Sequence, residues 1–175
     1  KTLTPSPILS TSVLGVSAIN MLGSDEQKEN YLPKIVAGEL TTALAIDEGN
    51  HHNPFAIEAT AVLDEDEWVL NGKKVFVVDG ASADSILLVA RTSGKSEESN
   101  GISVFVANKD SAGLDITKIS TADSRNYANI EMSDLKLDQN ALLGEQDLAG
   151  ETLEKILDLG RIAISAEMLG NTEEA

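Results

Sequence analysis

Between residues 41 and 145 the apolar residues recur with a period near two, whereas on either side they recur at helical spacing. That switch of period limits the possible folds more than any other feature of the chain. Candidate strands are 41–46, 57–63, 67–71, 73–78, 85–92, 102–107, 114–120 and 127–137. Asn71-Gly72, between WVL and KKVFVV, predicts a type I′ hairpin turn, because both central residues of that turn need positive φ. Asp64-Glu65-Asp66 and the segments 93–101 and 108–113 mark loops. Short strands in succession, with no helical pattern between them, predict an antiparallel barrel or sandwich.

The flanks read as helices. LSTSVLGVSAINML (9–22) is apolar on nearly every face and predicts a buried helix stopped by Gly23. Ser24, with Gln27 three residues on, makes a capping box for a second helix, and Asp25 and Glu26 suit its first turn. Pro33 predicts a further short turn over 33–37, closed by Gly38. A long helix resumes near Leu148. In it Leu153, Ile156, Leu157, Ile164 and Met168 fall near helical spacing, and Leu159, Ile162 and Ala163 widen the apolar face. The expected class is α+β, with helical residues 1–40, a β-barrel or sandwich domain over 41–147, and helical residues 148–175.

Charge and composition remove several functions. With 29 acidic against 13 basic residues the net charge is −16, which repels phosphate backbones and anionic membranes, so neither nucleic acid nor membrane is an expected partner. The absence of cysteine removes disulfides, thiolate metal sites and cysteine nucleophiles. The apolar stretch 8–22 is broken by Ser10, Thr11, Ser12, Ser17 and Asn20, too polar and short for a span or signal peptide, and a cytoplasmic location is the expectation. His51-His52 sits among Asp47, Glu48, Asn50 and Asn53. Adjacent histidines point to opposite sides of an extended chain and lack ligand spacing, so a titratable surface loop is expected and no metal site. Asp64-Glu65-Asp66-Glu67 lacks the glycine and alternating ligands of a calcium loop and reads as a solvated hairpin tip.

Five segments, in order, resemble the acyl-CoA dehydrogenase family. GSDEQKENYLPKIVAGE (23–39) is similar to the family linker G-[ST]-x-E-Q-K-x-x-Y-L-P-x-[IL]-x-x-G-E. WVLNGKKVFVVDGASAD (68–84) resembles Y-x-[IL]-N-G-x-K-x-[WF]-[IV]-T-N-[GA], and GISVFVANKDSAGLDI (101–116) resembles G-I-[ST]-x-F-[IL]-V-x-K-D-x-x-G-[FL]. LKLDQNALLGE (135–145) and LDLGRIAISAEMLG (157–170) resemble V-x-V-P-x-x-N-[LI]-L-G-E and the D-x-G-R helix. The resemblance implies an N-terminal helical domain, a middle β-domain and a C-terminal four-helix bundle. By this reading the chain enters partway through the first domain and stops in the first bundle helix. The implied reaction is α,β-dehydrogenation of an acyl-CoA with FAD as hydride acceptor. An electron-transfer acceptor and homo- or hetero-oligomer contacts through the bundle are implied with it.

The same resemblance assigns candidate residues. ALAIDEGNHHN (43–53) stands for Y-x-[VL]-T-E-P-x-x-G-S-D, so the main chain of Ala43 and Ala45 is expected against the flavin, with Ile46 in place of the threonine. Glu48 replaces the proline, His51 the glycine, His52 the substrate-contacting serine and Asn53 the aspartate. Phe76 and Val77 keep the aromatic and aliphatic positions of the second motif, while Val78 replaces its threonine. A polar flavin edge left unpaired costs about 1–3 kcal/mol. Asp158 and Arg161 match D-x-G-R and are implied to lie near the CoA ester; as an i, i+3 pair they also suit a plain helix-surface interaction. No catalytic base is assigned, since the family's alternative base position is Gly160, and Glu154 and Glu167 read as a solvated helix face. Three readings follow: an enzyme with an unusual flavin pocket, a degenerate subunit supporting a catalytic sister chain, or a bare β-domain with no activity of its own.

Overall fold

In the computed structural model, which describes residues 6–123 and 125–174, the chain opens with a π-helical stretch, Ile8–Gly15, running into α1 (Val16–Leu22). The expected all-round burial is corrected: Ser10, Thr11, Gly15, Ala18 and Ile19 face the protein, while Ile8 and Met21 are exposed. The inward polar residues have partners in the β-domain. Thr11 Oγ1 donates to the Thr42 carbonyl and accepts the Thr42 N–H, each at 3.0 Å, and Ser10 donates to Asp79 at 2.6 Å. α2 (Asp25–Val36) starts at the expected capping box: Ser24 Oγ accepts from Gln27 N–H at 3.2 Å, and Gln27 Oε1 accepts from Ser24 N–H at 2.9 Å. Gln27 Nε2 also donates to the carbonyls of Asn140 and Leu142. Replacing Ser24 by alanine is expected to cost about 1 kcal/mol, read as a shifted urea midpoint at unchanged m-value.

Pro33 does not begin a new helix; it lies inside α2. A proline there removes one donor from the helical ladder. α2 buries none of its residues, so water can serve the orphaned carbonyl and the helix continues. Gly38 closes the segment with φ 74°.

The strands are β1 (Thr42–Ala45), β2 (Thr60–Asp64), β3 (Glu67–Val77), β4 (Ser85–Arg91), β5 (Ile102–Asn108), β6 (Leu114–Lys118), β7 (Ala128–Asp138) and β8 (Leu142–Leu143). Their order is β6-β7-β3-β2-β4-β5-β8, with β1 pairing β4. β6 and β8 end the order without pairing to each other, so the sheet does not close and the sandwich alternative, not the barrel, describes it. It is also mixed: β1 runs parallel to β4, and β2 meets β4 in parallel at Thr60–Arg91. β4 is buried along its whole length because both faces are covered. Ile86, Leu88 and Ala90 enter a core with Trp68, Leu70, Phe105, Ile130 and Leu135; Leu87 and Val89 enter a second core with Ile19, Leu153 and Ile156 under the helices. Trp68 and Phe105 meet edge to face at 5.1 Å across the first core.

The predicted hairpin at Asn71-Gly72 is displaced. The turn is at Glu65-Asp66, between the paired Asp64 and Glu67, with Glu65 at φ 53°. Asn71 and Gly72 lie inside the continuous β3, which unites the two strands expected at 67–71 and 73–78. Gly72 serves close approach: a Cβ there would lie 2.6 Å from Ala59 Cβ.

α3 (Gly150–Glu174) buries Leu153, Ile156, Leu157 and Gly160. Gly160 lets the helix close on Leu14, whose Cδ2 would stand 2.9 Å from an added Cβ. Beyond it Ile162, Ile164, Met168 and Leu169 are exposed, so the predicted apolar stripe is buried only in its first half. Glu167, expected as a solvated residue, is paired with Arg125 at 2.6 Å. Among the described residues no helix is long and apolar enough to cross a membrane.

Candidate functional site at the junction of β1 and β3

Trp68, Leu70 and Lys74 are buried at alternate positions of β3, as period-two geometry requires. Between Lys74 and Val77 the pairing with β7 shifts, from Lys74–Ile130 to Val77–Ala128, so β3 carries an extra residue. This bulge sets Phe76 at φ 51° and leaves its ring 58% exposed, edge to face with Tyr127 at 6.4 Å. Val77 returns to the core. Val75 N–H turns to the Asp47 carbonyl at 2.8 Å. The bulge therefore brings residues 74–78 beside the exit of β1, and both segments named in the sequence meet there.

Their side chains are placed unevenly. Ala43 and Ala45 are buried in the first core and Ile46 in the second, so a ligand at this junction would meet their main chain. Val77 is buried likewise, Val78 is half-buried, and Phe76 presents its ring. His52 is on the loop after β1, with Nδ1 2.9 Å from an Asp47 carboxylate oxygen; the same carboxylate accepts Asn53 N–H at 3.2 Å. Asp158 and Arg161 stand on the surface of α3 and are paired with each other. The structure thus joins Ile46 and Asp47 to Lys74 and Val75, next to residues 76–78, holds His52 on Asp47, and engages Asp158 and Arg161 mutually.

Two residues of the region, Lys74 and Arg91, were not singled out in the sequence, and Glu48 was read there only as a replaced proline and a neighbour of the histidines. Lys74 is 0% exposed and donates from Nζ to the Ile46 carbonyl at 3.0 Å and to Glu48 Oε1 at 2.6 Å. Glu48 also accepts the N–H groups of Glu58 at 2.8 Å and Ala59 at 3.1 Å. Burial pulls the Lys74 ammonium down to about 8, against the opposing pull of the Glu48 carboxylate. Arg91, 7% exposed, donates to the carbonyls of Phe55, Ile57, Ser93, Glu98 and Asn100. The inward parity of Lys74 with Trp68 and Leu70 was the one available signal; Glu48 and Arg91 had none for these roles, because both hold main-chain groups that no residue pattern marks.

At this junction the exposed Phe76 and the half-buried Val78 offer apolar side chains to a flat aromatic ring. The side chains at 46 and 78 carry no hydrogen-bonding group, so polar ring edges would depend on main-chain N–H and C=O groups. Among the described residues no three His, Asp or Glu side chains converge as a metal-binding group.

Comparison with known proteins gives a consistent result. The chain matches the family models "Acyl-CoA dehydrogenase, N-terminal domain" over residues 2–39 and "Acyl-CoA dehydrogenase, middle domain" over residues 43–139. A 3-(aryl)acrylate reductase of Clostridium sporogenes is 32% identical over 171 residues, 94% of this chain and 44% of that protein. The structure of butyryl-CoA dehydrogenase from Megasphaera elsdenii superposes with a TM-score of 0.89 at 27% identity, covering 95% of this chain and 45% of the other. A chain of the ChsE4–ChsE5 complex from Mycobacterium tuberculosis superposes with a TM-score of 0.78 at 27% identity, covering 89% of this chain and 40% of the other. The chain spans less than half the length of each of these proteins. With the middle-domain model covering more than half of its residues, the chain belongs to the acyl-CoA dehydrogenase family.

Proposed function

We propose that this chain forms the flavin-facing part of an FAD-dependent acyl-CoA dehydrogenase, with residues 1–40 ending one helical domain, 41–147 as the β-domain and 148–175 beginning a bundle. The observation that carries the reading is the β1–β3 junction, where Val75 N–H on Asp47 and Lys74 Nζ on Ile46 set the two flavin-motif segments side by side. In this reading the main chain of Ala43, Ala45, Ile46, Val77 and Val78 meets the ring edge, and the Phe76 ring packs against it. His52 faces the thioester-bearing substrate, and Asp158 and Arg161 serve its CoA end. FAD, when bound, accepts the hydride that leaves the acyl β-carbon. No residue of this chain is assigned as the base. The partners are an acyl-CoA, an electron-transfer acceptor and further subunits, in the cytoplasm.

A second reading is favoured by one feature: Ile46, Val78, His52 and Asn53 stand where the family motif has Thr, Thr, Ser and Asp. It makes the protein a structural subunit of a hetero-oligomeric dehydrogenase, and the likeness to a chain of a two-component complex supports it. The visible spectrum of the full-length protein separates the two. Flavin absorbance that bleaches on addition of an acyl-CoA supports the enzyme; a colourless protein that gains flavin only with a second chain supports the subunit. Val78→Thr restores one hydroxyl at a half-buried position and is expected to tighten FAD binding about 5-fold, from a hydrogen bond worth about 1 kcal/mol. Unchanged or weaker binding by flavin titration would count against a ring edge at Val78.

A further inference from the structure

We propose that Glu48 and Lys74 are positioning residues for this site, holding the exit of β1 and the neck of the following loop in ligand-ready form before a ligand arrives. This deepens the flavin reading and rests on it for the identity of the ligand. The side chains flanking Lys74 on the inward face of β3 are apolar, so a hydrocarbon would suit that position. A buried ion pair contributes little stability over such a hydrocarbon, but it specifies geometry. Here the geometry is local to the site. Lys74 Nζ fixes the Ile46 carbonyl, and therefore the plane of the peptide between Ile46 and Asp47. Glu48, held on the same ammonium, accepts main-chain N–H groups ten and eleven residues downstream, which closes the loop at its neck.

The rest of the loop is held in the same way. Asp47 accepts Asn53 N–H and faces His52 Nδ1 at the tip. On the descending limb Arg91, a second buried cation, takes the carbonyls of Phe55 and Ile57. Apart from the Asp47–His52 contact, every anchor is a charged side chain on main chain or on an opposite charge, and none requires a ligand. His52 is therefore presented from a preformed loop, and its position is set by Glu48 and Lys74, which do not themselves face the substrate.

The test uses the full-length protein, FAD and two variants. Glu48→Gln is expected to speed exchange of the Glu58 and Ala59 amides at least about 10-fold and to weaken FAD binding at least about 10-fold. Glu48→Gln/Lys74→Met, which removes both charges of the pair, is expected to regain the parent's urea midpoint but neither amide protection nor FAD affinity. Recovery of all three together in the double variant would make the pair merely structural and overturn the proposal. So would a single variant within twofold of the parent in both exchange and affinity. If the parent itself binds no FAD, the flavin reading fails separately, and the exchange measurement still decides: slow exchange retained in Glu48→Gln overturns the positioning role, and its loss supports it.

Discussion

Replacing Gly72 by alanine is expected to destabilise the protein by about 3 kcal/mol or more, two effects adding at one position. Gly72 has φ 138°, a conformation that an L side chain rarely adopts. Its added Cβ would also stand 2.6 Å from Ala59 Cβ and 2.7 Å from Ala59 Cα. The contact with Cα is on backbone, so no rotamer change relieves it. Ala59 cannot retreat freely, because its N–H is held by Glu48 and its carbonyl accepts Arg91 N–H at 2.7 Å. Relief of the clash would release the neck of the loop. Urea denaturation should show a lower midpoint, and amide exchange should show the Ala59 region opening first. Gly38→Ala is the control: its φ is 74° but nothing lies within 4 Å, so only the backbone cost, about 1 kcal/mol, is expected. Equal losses at the two glycines would refute close packing at Gly72.

Lys74→Met is expected to cost about 3 kcal/mol, the range for removing one partner of a buried pair, since Glu48 is left without its cation at 11% side-chain exposure. The two N–H groups that Glu48 accepts keep the loss at the lower end of that range. The pH dependence has a definite sign. Lys74 titrates near 8 when folded and near 10.5 when unfolded, so between those values the unfolded chain holds a proton that the folded chain has released. The Lys74 contribution to stability is therefore constant below about pH 8 and rises from there to about pH 10.5. Over that interval it amounts to about 3 kcal/mol. Tyr31, whose hydroxyl burial pushes upward, works the other way on the alkaline side. The readout is the difference between parent and Lys74→Met as a function of pH, in which Tyr31 cancels. A difference that stays flat from pH 7 to 10.5 would show that Lys74 is not buried as a cation.

Features that depend on near neighbours in the chain were legible in the sequence. The Ser24–Gln27 capping box is a three-residue relation, and it formed as read. The strand cores Ile86–Ala90 and Ile102–Ala107 followed from runs of apolar residues, and the start of α3 from Leu153, Ile156 and Leu157. The errors share a cause. Asn71-Gly72 has the composition of a hairpin turn, but Ala59, just before β2, approaches it and uses the missing Cβ for packing. Pro33 reads as a helix start, but a helix with no buried residue continues through it. The stripe through Ile164 and Met168 is correctly spaced, yet spacing does not say how far along a helix its covering layer extends.

The sequence by itself determined the change of period from helix to sheet and back, and with it the α+β class and the order of the segments. It also determined which side chains the family motifs lack, since Ile46 and Val78 have no hydroxyl in any conformation. Tertiary structure alone decided how the site is built. The bulge that turns Phe76 outward and Val75 N–H to Asp47 arises from register against β7. The burial of Lys74 beneath Ile46, and the capture of the Glu58 and Ala59 amides by Glu48, arise from β1, β2 and β3 meeting. Periodicity and capping are fixed by interactions within a few residues, which a sequence displays directly. A bulge, a buried charge and a glycine contact depend on partners 10 to 28 residues away or more, and only folding brings them into range.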